Sequence, residues 1–329
     1  MKYKAKYSAF GSYVPDKVLS NFDLEKIVDT NDEWIKSRTG MSERRIASDE
    51  QAASDLATIA AQRCIENSDI KYKDIDLIIC GTISPDHAFP STACFVQKNL
   101  GLKGIPAFDI SAGCPGFIYA SDIARQFVEN GTKKNVLVIG VEILSKIVNW
   151  EDRNTCVLFG DGAGAAIISR AQSNDISQII DSEILADGNY TELLEQPAGG
   201  SRMPASEDTL KENLHTVHMQ GNRVFKLAVK SMYSTSETVL KRNNMEFNDL
   251  DWLVPHQANM RIIESLGNKM KINTEKVIVN IEKYANTSSA TIPIAIDEAI
   301  RNGKIHRGDV IHMVSFGAGL TWGSVLFRY

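Results

Sequence analysis

Cys114 stands in Ala112-Gly-Cys114-Pro-Gly-Phe117, between a strand-like run at 105–110 and a segment at 115–131 whose apolar periodicity predicts a helix. Proline is favoured in a first helical turn, where its missing N–H costs nothing, so Cys114 is expected at or next to the helix N-cap. A sulfur placed there faces unpaired N–H groups and the positive end of the helix dipole, which lowers a thiol pKa and supplies thiolate. The chemistry this points to is nucleophilic catalysis through a covalent intermediate. Gly113 and Gly116 on either side leave room for a substrate to approach. Cys64, Cys80, Cys94 and Cys156 lie in apolar helical or strand-like stretches and are read as structural thiols.

A nucleophile needs a partner, and Val254-Pro-His256-Gln-Ala-Asn259 supplies one. The motif follows a strand and opens a helix, so His256 falls at a strand-to-helix edge, where open α/β sheets bind ligands. His256 is therefore the candidate base. His215 and His218 lie in a polar segment, His306 in a turn, His312 inside a strand and His87 in a loop bounded by proline. Phe316-Gly-Ala318-Gly follows a strand, and N–H groups freed by a sharp turn could face a developing oxyanion; an ordinary bend between strands explains the residues equally well. Gly160-Asp-Gly-Ala-Gly164 leads into Ala-Ile-Ile and lacks Lys-Ser/Thr, so it supports neither a P-loop nor a dinucleotide fingerprint, and a tight structural turn is expected.

The elements that must carry these residues repeat along the chain. Residues 72–80 and 247–255 share an order of aromatic, polar, Asp, aliphatic, Asp and then mostly apolar residues, and the helical 123–131 (IARQFVENG) pairs with 295–303 (AIDEAIRNG). Apolar strands at 135–140 and 309–314 follow the helices, and further apolar segments at 163–168 and 322–327 complete each copy. Short β-branched runs alternating with helical periodicity read as βαβ units with buried strands. Two α/β halves facing each other across a pseudo-twofold axis are expected, with their loops meeting at the junction. The offset that aligns the two helices carries Asn286 back onto Cys114, which places this amide opposite the thiol. Asn286-Thr-Ser-Ser289 before an apolar helix is also a plain N-cap sequence.

Composition bounds the rest. The chain has 329 residues, 43% hydrophobic and 23% charged, which excludes disordered and fibrous classes. A formal net charge of −5 gives no broad basic surface, so nucleic acid and anionic lipid are not expected partners. The apolar run 136–141 is cut by Glu142, far short of the roughly 18 residues of a membrane span. Met1 to Lys6 lead into Tyr-Ser-Ala-Phe-Gly rather than an apolar signal core, and five cysteines lack metal-ligand spacing. A cytoplasmic protein with free thiols and no metal site is expected, and the sequons at Asn189 and Asn286 are read as chance matches.

Taken together, Asn31-Asp-Glu-Trp34-Ile-Lys-Ser-Arg38-Thr-Gly40, the Cys114 motif, Gly160–Gly164, the His256 motif, Asn286-Thr-Ser and Phe316-Gly-Ala-Gly-Leu-Thr-Trp-Gly323 closely resemble the β-ketoacyl-acyl carrier protein synthase III family. The resemblance spans essentially the whole chain. It implies the thiolase fold, a duplicated α-β-α-β-α five-layer arrangement with pseudo-twofold symmetry, divided into a nucleophile half at 1–173 and a His/Asn half at 174–329. It further implies a decarboxylative Claisen condensation that initiates fatty-acid synthesis, joining a short acyl-CoA, acetyl-CoA first, to malonyl-acyl carrier protein through an acylated Cys114. His256 and Asn286 would stabilise the enolate, and the backbone N–H groups of Cys114 and Ala318 the oxyanion. Ala318 stands where family members often have glycine. Trp34, Arg38, Arg153 and Asn259 would bind CoA; Phe89, from a loop that crosses a homodimer, and Phe316 would shape the acyl pocket. Lys226, Arg261 and Lys269 would meet the acidic carrier protein. No cofactor is implied, acyl-CoA being a substrate. A condensing enzyme of specialised metabolism with another starter or acceptor is the alternative, whereas a degradative thiolase would need a second cysteine where Gly317-Ala318-Gly319 stands.

Overall fold

The computed structural model describes residues 2–329. Two sheets form its frame. The first contains β1 (Ala5–Tyr13), β2 (Leu77–Gly81), β3 (Ala107–Ile110), β4 (Asn135–Ile143) and β5 (Asp161–Arg170) in the order β1-β5-β4-β2-β3. The second contains β6 (Gln178–Ala186), β7 (Trp252–Pro255), β8 (Val310–Gly317) and β9 (Thr321–Arg328) in the order β6-β9-β8-β7. Pairing directions agree: β2 is parallel to β4 as β7 is to β8, while β4–β5 and β8–β9 are antiparallel. Beyond β7, where β3 would have its counterpart, only a Leu253–Val277 bridge forms.

The helices used below are α1 (Asp32–Thr39), α2 (Ala53–Glu66), α3 (Thr92–Asn99), α4 (Gly116–Glu129), α5 (Gly221–Arg242), α6 (Met260–Met270) and α7 (Thr291–Arg301). Helices α4 and α7 lie between the sheets: α4 packs on β4 and β2 of the first and β9 and β6 of the second, and α7 on β5, β1 and β7. Outside, α2 and α3 cover the first sheet and α5 and α6 the second. Five alternating layers result, as expected. The strand sequences explain why. Along β4, Val136 and Val138 enter the core between the sheets while Leu137 and Ile139 enter the outer core under α2, so both faces are apolar and every β4 residue is buried.

Gly160-Asp-Gly-Ala-Gly164 is not a turn, contrary to expectation: residues from Asp161 onward form β5. The reason is close approach of the central layer. A Cβ on Gly164 would stand 2.6 Å from Pro293 Cβ, and one on Gly140 of β4 2.3 Å from the Ser289 carbonyl oxygen. These bare strands let the segment between Asn286 and α7 lie directly on the first sheet.

Candidate active site

Cys114 lies between the C-terminal end of β3 and α4. The helix begins at Gly116 with Pro115 as its cap residue, so Cys114 is next to the cap, as its motif predicts. Gly113 adopts φ +58, open to glycine at little cost, and a Cβ there would stand 2.8 Å from the Ala318 amide nitrogen, so only glycine permits the close approach. The turn between β8 and β9 is thereby held against the nucleophile loop, and Thr321 Oγ1 fastens the two by donating to the Ala112 carbonyl at 2.7 Å, with the Ala318 carbonyl 2.9 Å away.

The thiol itself departs from expectation. Cys114 opens only onto a cavity and is otherwise packed round, and this desolvation pushes its pKa up to about 12. The nearby Glu142 carboxylate raises it further, while the Ser288 hydroxyl and the Cys114 amide pull it down. The resting group is therefore a thiol and not the thiolate that its place beside a helix N-terminus predicts.

His256 follows β7, its amide donating to the Val314 carbonyl at 2.8 Å. The ring is buried, and burial pulls its pKa down to about 3, which makes it neutral at physiological pH. Nδ1 lies 2.7 Å from Thr291 Oγ1, which also sits 3.0 Å from the Ser288 carbonyl. Asn286 is fixed by its backbone, which donates to Leu158 and accepts from Gly160. Its Oδ1 accepts from the Ser288 amide at 2.8 Å, leaving Nδ2–H as the free donor. The plain N-cap alternative is met only in part: Asn286 Oδ1 accepts from the first amide of a 3-10 turn, Ser288–Ala290, that runs into α7, whose own cap residue is Ala290.

One cavity of about 570 Å³ is lined by Cys114, His256, Asn286 and Phe316 together with Trp34, Arg38, Arg153, Asn259, Lys226 and Arg261. Trp34 on α1 carries the Arg153 guanidinium 5.2 Å from its ring, and Arg153 also donates to the Asp29 carbonyl at 2.9 Å. Asn259 caps α6, accepting from the Arg261 amide and donating to the Arg38 carbonyl. Arg261 lies over Phe225 and Lys269 over Tyr233, which joins the basic residues of α6 to α5. Lys269 and Phe89 do not line the cavity; Phe89 is 86% exposed.

Three groups escaped the sequence reading. Glu142, Ser288 and Thr291 are all buried at the junction. The signal for Glu142 was a lone carboxylate ending an otherwise apolar central strand, a residue type almost never fully buried without partners.

Five layers with a Cys-His-Asn cavity at the seam define the class: acyl-transferring condensing enzymes of the thiolase fold. The sequence model of 3-oxoacyl-[acyl-carrier-protein (ACP)] synthase III matches residues 108–188 and that of its C-terminal part residues 240–329. The β-ketoacyl-[acyl-carrier-protein] synthase III of Caldanaerobacter subterraneus is 56% identical over 97% of this chain and 96% of its own. The crystal structure of the 3-oxoacyl-[acyl-carrier-protein] synthase III from Aquifex aeolicus superposes with a TM-score of 0.91 at 49% identity, covering 99% of this chain and 100% of that one. A priming β-ketosynthase from a polyketide biosynthetic pathway also superposes, with a TM-score of 0.91 at 30% identity over 99% and 97% of the two chains. The chain belongs to the β-ketoacyl-[acyl-carrier-protein] synthase III family.

Proposed function

We propose that this enzyme joins a short acyl-CoA, acetyl-CoA first, to malonyl-acyl carrier protein, giving 3-oxoacyl-acyl carrier protein and carbon dioxide at the start of fatty-acid synthesis. The observation that carries the assignment is the single cavity holding Cys114, His256 and Asn286 together with Trp34, Arg38 and Arg153. Cys114 sulfur attacks the thioester carbonyl, the backbone N–H groups of Cys114 and Ala318 hold the oxyanion, and CoA leaves. Trp34 offers its face to the adenine, Arg38 and Arg153 their charge to the phosphates, and Asn259 its amide to the pantetheine. Malonyl-acyl carrier protein then docks on Lys226, Arg261 and Lys269, whose positive charge complements an acidic partner.

Loss of carbon dioxide leaves an enolate whose oxygen accepts hydrogen bonds from Asn286 Nδ2 and His256 Nε2. Neutral imidazole has one N–H, and this role puts it on Nε2, so Thr291 must donate to Nδ1. The enolate carbon attacks the acyl-cysteine and Cys114 is released. Every step uses the chain's own groups and two substrates, with no cofactor. The halves divide at 173/174, between β5 and β6, and the enzyme works in the cytoplasm as a homodimer in which the exposed Phe89 caps the partner's acyl pocket, beside Phe316. The superposition on a polyketide priming enzyme favours, as a second reading, the same chemistry with a specialised starter or acceptor.

Intact-mass measurement after mixing with acyl-CoAs of graded length tests the assignment. Acetyl transfer to Cys114 is expected and should vanish in Cys114→Ser. His256→Ala and Asn286→Ala should suppress malonyl decarboxylation far more than acylation; equal loss of both half-reactions would contradict the roles given.

A further inference from the structure

Glu142 is the most unusual charged group in the protein. It sits near the C-terminal end of β4, forms none of the salt bridges among the described residues, and is fully buried. Hydrogen bonds substitute for a cation, and they are divided unequally. Oε2 accepts from Ser84 Oγ (2.6 Å), the amides of Ile83 and Ser84 (3.1 Å each) and Thr82 Oγ1 (3.2 Å). Oε1 faces only the hydroxyls of Ser288 (3.1 Å) and Ser289 (3.0 Å), and the Ser289 hydroxyl is closer to the Gly81 carbonyl, at 2.8 Å. Oε1 is thus left mainly to Ser288, whose hydroxyl also favours the ionised form of the Cys114 thiol.

Ser288 occupies a position built to hold it there. Its φ of +48 is sparsely populated for a residue with a side chain and persists where the surroundings over-determine it. Its amide donates to Asn286 Oδ1, and its carbonyl lies 3.0 Å from the hydroxyl of Thr291, the residue that contacts His256. Contacts to Asn286, to Glu142 and to the Thr291 partner of His256 therefore meet at this one serine.

We propose that the Cys114 thiol gives up its proton through the Ser288 hydroxyl to Oε1 of Glu142, Ser288 being a catalytic residue of acylation and Glu142 the positioning residue that acts through it. The S–H bond breaks with its electron pair staying on sulfur, Ser288 Oγ takes this proton, and its own passes to the carboxylate. Sulfur bonds to the thioester carbon, the carbon–sulfur bond to CoA breaks, and the departing CoA thiolate takes the proton back along the same path.

Electrostatics favours this arrangement. A Cys114 thiolate beside a Glu142 carboxylate would bury two like charges, whereas transfer between them keeps the buried charge at one throughout. Burial pushes Glu142 up to about 7 and His256 down to about 3, so the carboxylate is the stronger of the two bases and has a pKa suited to neutral pH. The other titratable group facing Glu142 is Cys80 on β2, which burial raises well above the ordinary thiol range and which stays protonated.

The proposal rests on the acyl-cysteine assignment above, and single-turnover acylation by acetyl-CoA, followed by intact mass from about pH 5 to pH 9, separates the two. Wild-type acylation should rise with pH through about 7 as Glu142 ionises. Glu142→Gln should remove this inflection, and Ser288→Ala should slow acylation by about 10²-fold, the order expected of general acid–base help. Alkylation of Cys114 by iodoacetamide should show the same inflection and the same loss. An inflection that survives in Glu142→Gln, or Ser288→Ala acylating within about threefold of the wild type, overturns the relay. Should Glu142→Gln fail to fold, the Ser288→Ala rate decides alone. Failure of the wild type to take acyl mass on Cys114 would instead overturn the acyl-cysteine assignment.

Discussion

A single hydroxyl proton decides what His256 can do. Thr291 Oγ1 lies between two acceptor positions, the Ser288 carbonyl and His256 Nδ1, and can donate to only one of them. Enolate stabilisation needs the proton on Nδ1's side of Thr291, because the ring then keeps its own at Nε2. Thr291→Val preserves the shape and removes the donor. Decarboxylation of malonyl-acyl carrier protein should fall by about 10²-fold, the order of one lost oxyanion donor, with acylation of Cys114 little changed. Thr291→Ser should restore it. Carbon dioxide release and acyl-enzyme formation, measured separately, check this; an unaffected Thr291→Val would place the tautomer the other way round.

At the scale of elements, the site depends on how closely the segment before α7 approaches the first sheet. Gly140→Ala would place a methyl 2.3 Å from the Ser289 carbonyl, too close for the backbone to stay where it is. A destabilisation of about 1–3 kcal/mol is expected from overpacking, with condensation lost ahead of folding because Asn286 and Ser288 move together. Urea unfolding and turnover on the same variant test this, and wild-type turnover would show that the approach has no catalytic consequence. The same approach marks where sequence reasoning stopped. The elbow around Cys114 and the strand end before His256 were legible because turn residues and periodicity are local signals. Gly160–Gly164 was mistaken for a turn because its glycines answer to Pro293 and Ile294, which lie more than a hundred positions away. The thiol's charge state was missed for a related reason: a helix N-terminus can be read locally, but the burial that opposes it is a property of the packed whole.

For the whole molecule, duplication accounts for a cavity at a seam, each half contributing loops from the C-terminal ends of its parallel strands. It does not account for Phe89. This ring is 86% exposed, well outside its own chain's cavity, and solvent gives an aromatic side chain nothing to pack against. Burying such a ring in a partner would recover roughly 1.5–3 kcal/mol, which would favour a loop that crosses between copies. If Phe89 closes the partner's acyl pocket, Phe89→Ala should widen the range of primers toward longer acyl chains while leaving Cys114 acylation by acetyl-CoA nearly intact. Sedimentation should give a dimer for the wild type. Mixed dimers, in which one subunit carries Cys114→Ser and the other Phe89→Ala, then distinguish the two possible origins of the effect. Long-chain acylation confined to Cys114 of the Phe89→Ala subunit would mean that the ring acts within its own chain, since its partner there still carries Phe89. Loss of long-chain acylation in the same pairing is the outcome expected of a ring donated across the interface.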